Sequence, residues 1–161
     1  TIKKDFWEYD PSNNIWIQKA NFGGTPRRWA TGFSIGTKGY IGTGVDSVFL
    51  TGDFWEGDQS TNLWIQKAGC TGQQAVGFSI GTKGYIGTGY DVNAGQATRH
   101  FYEWDQSTNI WTQKADIGGQ ARICAVGFSI GTKGYIGTGQ GAFGNLLNDF
   151  WQWDQSSNTW I

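Results

Sequence analysis

The residues that could carry chemistry lie in segments that differ between otherwise repeated stretches of the chain. They combine guanidinium groups, carboxylates, one imidazole and aromatic rings, a mixture that suits contacts with a sugar or a peptide. No spacing among them specifies the geometry of an acid, a base or a nucleophile, so we assign no catalytic residue. The candidate contact residues are Arg27, Arg28, Trp29, Asp46, Phe49, Tyr90, Asp91, Arg99, His100, Arg122 and Phe143.

Metal and cofactor chemistry is not indicated. The chain has a single histidine, and Cys70 and Cys124 stand at non-equivalent positions without a CxxC or HxxxH spacing. The recurring GTKG strings lack the GxxxxGK[ST] spacing of a phosphate loop, and no helix follows them to receive an anion. We therefore expect no bound metal and no cofactor.

Two repeated strings define the elements that must position the candidate residues. The string GFSIGTKGYIGTG occurs three times unchanged, beginning at Gly32, Gly77 and Gly127. A second string occurs four times, as DFWEYDPSNNIW, DFWEGDQSTNLW, HFYEWDQSTNIW and DFWQWDQSSNTW. The tryptophans that close it lie 48, 47 and 49 residues apart. A period of this length is that of one four-stranded propeller blade.

Local patterns predict four strands, a to d, in each period. Residues 30–35 form strand a and residues 40–44 strand b, joined by a turn in which Gly36 and Gly39 supply positive φ. Residues 6–9 and 15–19 show strands c and d, joined by a polar turn over residues 10–14. No helical period appears, which excludes a parallel α/β fold with its crossover helices.

These strings resemble the kelch repeat over nearly the whole chain. The resemblance is carried by three features: the glycine-rich end of strand b, the segment matching YDPxTNxW, and an arginine that opens strand a. The matching residues are Gly42, Thr43, Gly44, Tyr9, Asp10, Pro11, Asn14, Trp16, Arg27 and Arg122. The resemblance implies an all-β, kelch-type β-propeller of four-stranded antiparallel blades around a central channel.

The resemblance also bears on individual residues. Because the kelch pattern itself places an arginine at the start of strand a, Arg27 and Arg122 have a structural role as their alternative. Three departures from the pattern are GTG in place of a glycine pair, Gly57 in place of a tyrosine, and no arginine before Val76. His100 stands where the other repeats have aspartate, which favours a turn or edge residue over a catalytic base.

The repeats predict about three and a half blades in this chain. A half blade covers residues 5–20, and blades follow at about 27–68, 75–115 and 121–161. Because an open arc leaves strand edges and apolar faces in water, further blades must complete it. They come from a longer propeller chain or from a homo-oligomer that closes the ring, and we expect a dimer or larger assembly if the chain folds alone.

Recurring aromatics are expected to fill the layers between blades. These are Trp16, Trp64, Trp111 and Trp160, together with Phe33, Phe78 and Phe128. The lysines of the GTKG strings, Lys38, Lys83 and Lys133, are expected to be solvated turn residues. An antiparallel meander gathers the b–c and d–a loops on one rim, and these loops differ between repeats. That rim is the predicted binding surface, although the loops could also have diverged without function.

Charge and hydropathy narrow the function. A formal net charge of −1 offers no basic surplus for nucleic acid, and no apolar run reaches the roughly 20 residues that span a bilayer, so we expect neither nucleic-acid binding nor membrane insertion. We expect a non-catalytic binding or scaffold propeller that recognises a protein or glycan through its variable b–c and d–a loops. The repeats resemble those of surface or exported bacterial propellers.

Kelch propellers also include enzymes. A copper oxidase site of the galactose-oxidase type needs two histidines and two tyrosines, and one histidine cannot supply it. The alternative function is a carbohydrate-active propeller similar to the kelch-type sialic acid mutarotases, which would use arginine and acidic residues at the mouth.

Overall fold

The structure is a computed structural model that describes residues 1–70, 72–91 and 93–161. In these residues every regular element is a β-strand. The chain begins with an antiparallel hairpin of β1 (Phe6–Asp10) and β2 (Ile15–Lys19). Three four-stranded antiparallel sheets follow.

The first sheet contains β3 (Thr31–Ile35), β4 (Lys38–Gly42), β5 (Phe54–Asp58) and β6 (Leu63–Lys67) in sequential order. The middle sheet begins with β7 (Val76–Ile80) and β8 (Lys83–Gly87). A short hairpin, β9 (Tyr90–Asp91) and β10 (Gln96–Ala97), precedes the other two strands of this sheet, β11 (Phe101–Asp105) beside β8 and β12 (Ile110–Gln113) at the edge.

The last sheet has the same order. It contains β14 (Val126–Ile130), β15 (Lys133–Gly137), β17 (Phe150–Asp154) and β18 (Thr159–Trp160), while β13 (Arg122–Ile123) pairs separately with β16 (Gln140–Gly141). The all-β class and the four-stranded antiparallel sheets are therefore confirmed. Their assignment to blades of a ring, the number of those blades and the closing partner stay predictions.

The turns follow the predicted chemistry with two corrections. Gly36 has φ of +57°, but Gly39 lies inside β4 and does not share that conformation. Lys38 begins β4 and forms an ion pair with Asp58 at the end of β5, so it is not simply a solvated turn residue. Lys83 and Lys133 pair in the same way with Asp105 and Asp154.

Aromatic side chains fill the layers between neighbouring sheets. Trp104 of the middle sheet is fully buried, with ring centroids 5.0 Å from Tyr40 and 5.1 Å from Phe54 of the first sheet. Trp153 of the last sheet packs likewise on the middle sheet, 4.9 Å from Tyr85. Such burial contributes roughly 2–3 kcal/mol for each large ring.

The predicted aromatic core holds only for rings that face a neighbouring sheet. Trp111 and Trp160 each contact a buried phenylalanine of the preceding sheet, and Phe78 is buried. Trp16 is 65% exposed and Phe128 39% exposed, because they lie on the outward faces of the hairpin and of the last sheet. The prediction that Trp16 and Phe128 are buried is wrong for the described chain.

A repeated polar clamp joins each outer strand to the next sheet. The side chain of Asn62 accepts the N–H of Ala20 at 2.9 Å, and the indole of Trp64 donates to the carbonyl of the same alanine at 3.2 Å. Ala68 and Ala115 make the equivalent contacts with the sheets that follow them. The clamp sets the position of each d–a loop.

The described residues contain no helix long and apolar enough to cross a membrane.

Candidate functional site

Two of the sheets carry an identical cluster of arginine, aspartate and tryptophan at the rim. In the last sheet, Arg122 binds both carboxylate oxygens of Asp149 at 2.6 Å, and Trp151 Nε1 donates to Asp149 Oδ2 at 2.8 Å. Arg122 also donates to the carbonyl of Thr138 at 3.2 Å. The Arg122 guanidinium and the Trp151 indole hold the pKa of Asp149 below its usual value.

The first sheet has the same arrangement. Arg27 binds Asp53 at 2.6 and 2.8 Å, and Trp55 donates to Asp53 at 2.7 Å. The side chains of Arg27 and Arg122 are only 4% and 0% exposed. The structure therefore places these two arginines in internal ion pairs, the structural role that the repeat pattern offered, and not on the open surface of the rim.

The middle sheet replaces every member of this cluster. His100 stands at the aspartate position and Tyr102 at the tryptophan position, with ring centroids 6.2 Å apart. The loop before β7 is three residues shorter than its counterparts and has no arginine. The middle repeat thus differs from the first and last repeats at all three positions of the Arg–Asp–Trp cluster.

Open space lies where the middle sheet lacks the ion pair. A recess of about 40 Å³ is bounded by Thr88, Tyr90, His100 and Tyr102. A second cleft of about 220 Å³ lies beside it and is lined by Asp91, Thr98, Arg99, His100 and Asp116 among others. Asp91, Thr98 and His100 border both spaces. We call the two together the middle-sheet cleft.

The side chains of the middle-sheet cleft differ in electrostatic setting. Burial raises the pKa of Tyr102, and the carboxylates of Asp116 and Asp91 raise it further, so its hydroxyl stays protonated at neutral pH. Asp91 Oδ1 accepts the backbone N–H groups of Asn93 and Ala94 at 2.8 and 3.3 Å. This turn holds the carboxylate at the edge of the cleft.

The structure brings together four of the predicted contact residues, Tyr90, Asp91, Arg99 and His100, around the middle-sheet cleft. The others lie elsewhere. Arg28 and Trp29 are exposed next to the first sheet, with the guanidinium 4.3 Å from the indole centroid.

Asp46 is occupied by the backbone N–H groups of Val48 and Phe49 at 2.8 and 2.7 Å. Phe49 and Phe143 project from loop tips, and Phe143 is 96% exposed. None of these three residues lines the middle-sheet cleft.

Sequence reasoning missed Thr98, Tyr102 and Asp116. The signal for Tyr102 was present, because Trp7, Trp55 and Trp151 occupy its position in the other repeats. Asp116 gave no such signal, since its place in a variable loop is shared by unlike residues.

Two further observations bear on cofactors. Among residues 1–70, 72–91 and 93–161, no three His, Cys, Asp or Glu side chains are grouped so that they could hold a metal ion. Cys70 is buried and Cys124 is exposed, and burial raises the pKa of Cys70 to about 12.

Comparison with known proteins supports the architecture. No protein-family model matches the chain, and no curated protein sequence does. Among solved structures, the chain is similar to that of YjhT, with a TM-score of 0.81 over 98% of this chain and 18% sequence identity. This likeness supports a propeller-like all-β fold. The chain spans 58% of the length of that structure's chain.

Proposed function

We propose that this chain is a non-catalytic recognition module that binds a glycan in the middle-sheet cleft. The observation that carries the proposal is the concerted replacement of the Arg–Asp–Trp cluster in the middle repeat. The first and last sheets fill this position with an internal ion pair, whereas the middle sheet has the half-buried His100 there, bordering a cleft that Asp91 also lines.

The side chains around the cleft match the surface of a sugar ring. His100 lines the larger space and can pack against the C–H groups of a pyranose, with Tyr102 behind it in the smaller recess, and Asp91 and Asp116 supply acceptors for hydroxyl groups. Arg99 adds a donor at the exposed edge, suited to a hydroxyl or carboxylate substituent. A cleft of about 220 Å³ takes one ring-sized group, which favours a glycan over the broad surface of a folded protein.

A glycan screen with the full chain tests this function, followed by calorimetric titration of the best ligand. His100→Ala and Asp91→Asn should each weaken binding about tenfold or more, because each removes a polar contact. Asp46→Asn is the matched control, since Asp46 caps the equivalent turn of the first repeat outside the cleft. No glycan bound, or equal losses in all three variants, contradicts the proposal. A protein ligand on the wider rim would then be sought.

A second candidate function is sugar isomerisation, the activity of the kelch-type mutarotases that the repeats resemble. It is favoured by the presence of His100, Asp91 and Arg99 around one cleft. Ring opening needs a proton donor at the ring oxygen and an acceptor for the anomeric hydroxyl proton, and these groups have the required types. Acceleration of anomer exchange by the wild type, abolished in His100→Ala, would distinguish catalysis from binding alone; exchange can be followed by NMR.

A further inference from the structure

Strand β1 has an open edge. It pairs with β2 on one side, and no strand among the described residues pairs on its other side. Its counterparts β5, β11 and β17 each lie between two strands, with β4, β8 and β15 respectively on the side that β1 leaves open. Those three partners share the sequence KGYIG, and β1 (FWEYD) differs from β5 (FWEGD) at one residue.

The paired sheets show what the open edge is equipped to bind. In the first sheet, Tyr40 lies opposite Glu56, and its hydroxyl donates to Glu56 Oε2 at 2.9 Å. Lys38 pairs with Asp58, and the Tyr40 ring stacks on Phe54 with centroids 5.6 Å apart. The hairpin carries Phe6, Glu8 and Asp10 at the corresponding positions of β1.

A glutamine of the neighbouring sheet donates a hydrogen bond to a tyrosine of the first sheet and to one of the middle sheet. Gln106 donates to the hydroxyl of Tyr40 at 2.7 Å, and Gln155 donates to that of Tyr85 at 2.8 Å. Gln59 is their counterpart, and it donates instead to Glu8 at 3.2 Å. In the first sheet, the hydroxyl of Tyr40 lies between a glutamate and a glutamine. Beside β1 no tyrosine intervenes, and Gln59 bonds to Glu8 directly.

An apolar cleft of about 280 Å³ lies along the hairpin next to the first sheet. Its walls include Phe6, Leu63 and Trp64 as well as the polar side chains of Glu8 and Lys19. Gly57 also lines this cleft, at the position where Trp104 and Trp153 of the other sheets cover a tyrosine of the preceding sheet. An aromatic ring entering beside β1 therefore has both space and apolar contacts.

We propose that the open edge of β1 and this cleft form a docking site for one partner, a β-hairpin with the sequence pattern of β3–β4. The incoming strand adds antiparallel to β1, with its tyrosine opposite Glu8 and its lysine opposite Asp10. The tyrosine ring stacks on Phe6 and its hydroxyl lies between Glu8 and Gln59. The lysine forms the ion pair seen at Asp58, Asp105 and Asp154.

A synthetic peptide that copies residues 32–44 tests the docking site on the full chain. Hydrogen exchange should slow over residues 6–10 when the peptide is added and stay unchanged over residues 54–58, which are already paired. Peptides carrying Tyr40→Phe or Lys38→Met, and protein variants Glu8→Gln or Asp10→Asn, should each bind about tenfold more weakly. Asp5→Asn is the control on the same segment, since its carboxylate is bonded to Trp7 and not to the docking edge.

A register-specific cross-link keeps the proposal testable if the affinity of the free peptide is low. Trp55 lies directly opposite Ile41 in the first sheet, so Trp7→Cys should form a disulfide with a peptide carrying Ile41→Cys. A peptide carrying Ser34→Cys should react far more slowly, and Cys124→Ser in the protein removes the competing exposed thiol. Equal cross-linking of both peptides, or protection from exchange outside β1, would overturn the proposal. A dimer of the chain that uses β1 without any peptide would overturn it as well.

Discussion

Arg122 and Asp149 are joined by two parallel hydrogen bonds of 2.6 Å, with the arginine side chain wholly withdrawn from solvent. Planar pairing of this kind is among the strongest polar contacts in proteins. It ties β13 to the segment that precedes β17. Because a buried charge without its partner is costly, the pair should govern the stability of this end of the chain.

Asp149→Asn should lower the free energy of unfolding by about 3 kcal/mol, because it leaves the buried guanidinium without a counter-charge. Asp5→Asn is the matched control: Asp5 occupies the same repeat position, but its exposed carboxylate accepts only the Trp7 indole among the contacts described. Its cost should stay below about 0.5 kcal/mol. Urea unfolding measures both variants, and equal costs would show that the ion pair is not the stabilising element.

The repeated tryptophan should stabilise the fold only where a preceding sheet lies beneath it. Trp111 contacts Phe54 at 5.1 Å and donates to the carbonyl of Ala68, so Trp111→Ala should cost about 3–5 kcal/mol. Trp16, at the same repeat position, is mostly exposed, and Trp16→Ala should cost under about 1 kcal/mol. Thermal unfolding of the two variants compares them, and similar shifts in Tm would refute the layered packing.

The lysine–aspartate pairs predict an acid-sensitive stability. The hydrogen bond from Lys83, followed by that from Ser107, lowers the pKa of Asp105 in the folded state, and Asp58 and Asp154 behave alike. A lowered folded-state pKa contributes stability above the unfolded value of about 4 and loses it as the pH falls further. Lys83→Met should therefore flatten the decline of Tm below about pH 4. Lys4→Met, which removes the same charge at an exposed site, should not.

The two cysteines should react at very different rates. With a pKa raised to about 12 by burial, Cys70 is almost entirely protonated at pH 8, whereas Cys124 is exposed. One equivalent of a thiol reagent should be consumed quickly in the folded chain, and Cys124→Ser should abolish that phase. A second equivalent should appear only in denaturant. Rapid labelling of the Cys124→Ser variant would contradict the burial of Cys70.

The sheets could be predicted from the sequence because two strings recur in phase and contain their own turn chemistry. Gly36 and Asp58 act locally, so their roles are visible without tertiary structure. The exposure of Phe128 could not be predicted, since Phe78 is buried within an identical string and burial depends on a neighbouring sheet. Repetition therefore defines the strands better than it defines their surroundings.

The candidate site was predicted only in part, for a related reason. Listing unlike loop residues found His100 and Asp91, but it also included Arg27 and Arg122, whose partners lie 26 and 27 residues further along the chain. Comparing the repeats at linked positions would have separated the two groups. His100 and Tyr102 replace the aspartate and the tryptophan that are hydrogen-bonded to each other in the first and last sheets.

The clamps that connect each sheet to the next also determine how the molecule should come apart. Among the described residues, the first and last four-stranded sheets both pack on the middle one, so cooperativity should spread along one dimension, as in a row of coupled units. The middle sheet alone is packed on both faces by four-stranded neighbours, and its Tyr85 and Phe101 have no exposed surface. Unfolding should therefore begin at the two flanks and reach residues 76–113 last, with the slowest amide exchange directly beneath the loops that surround His100.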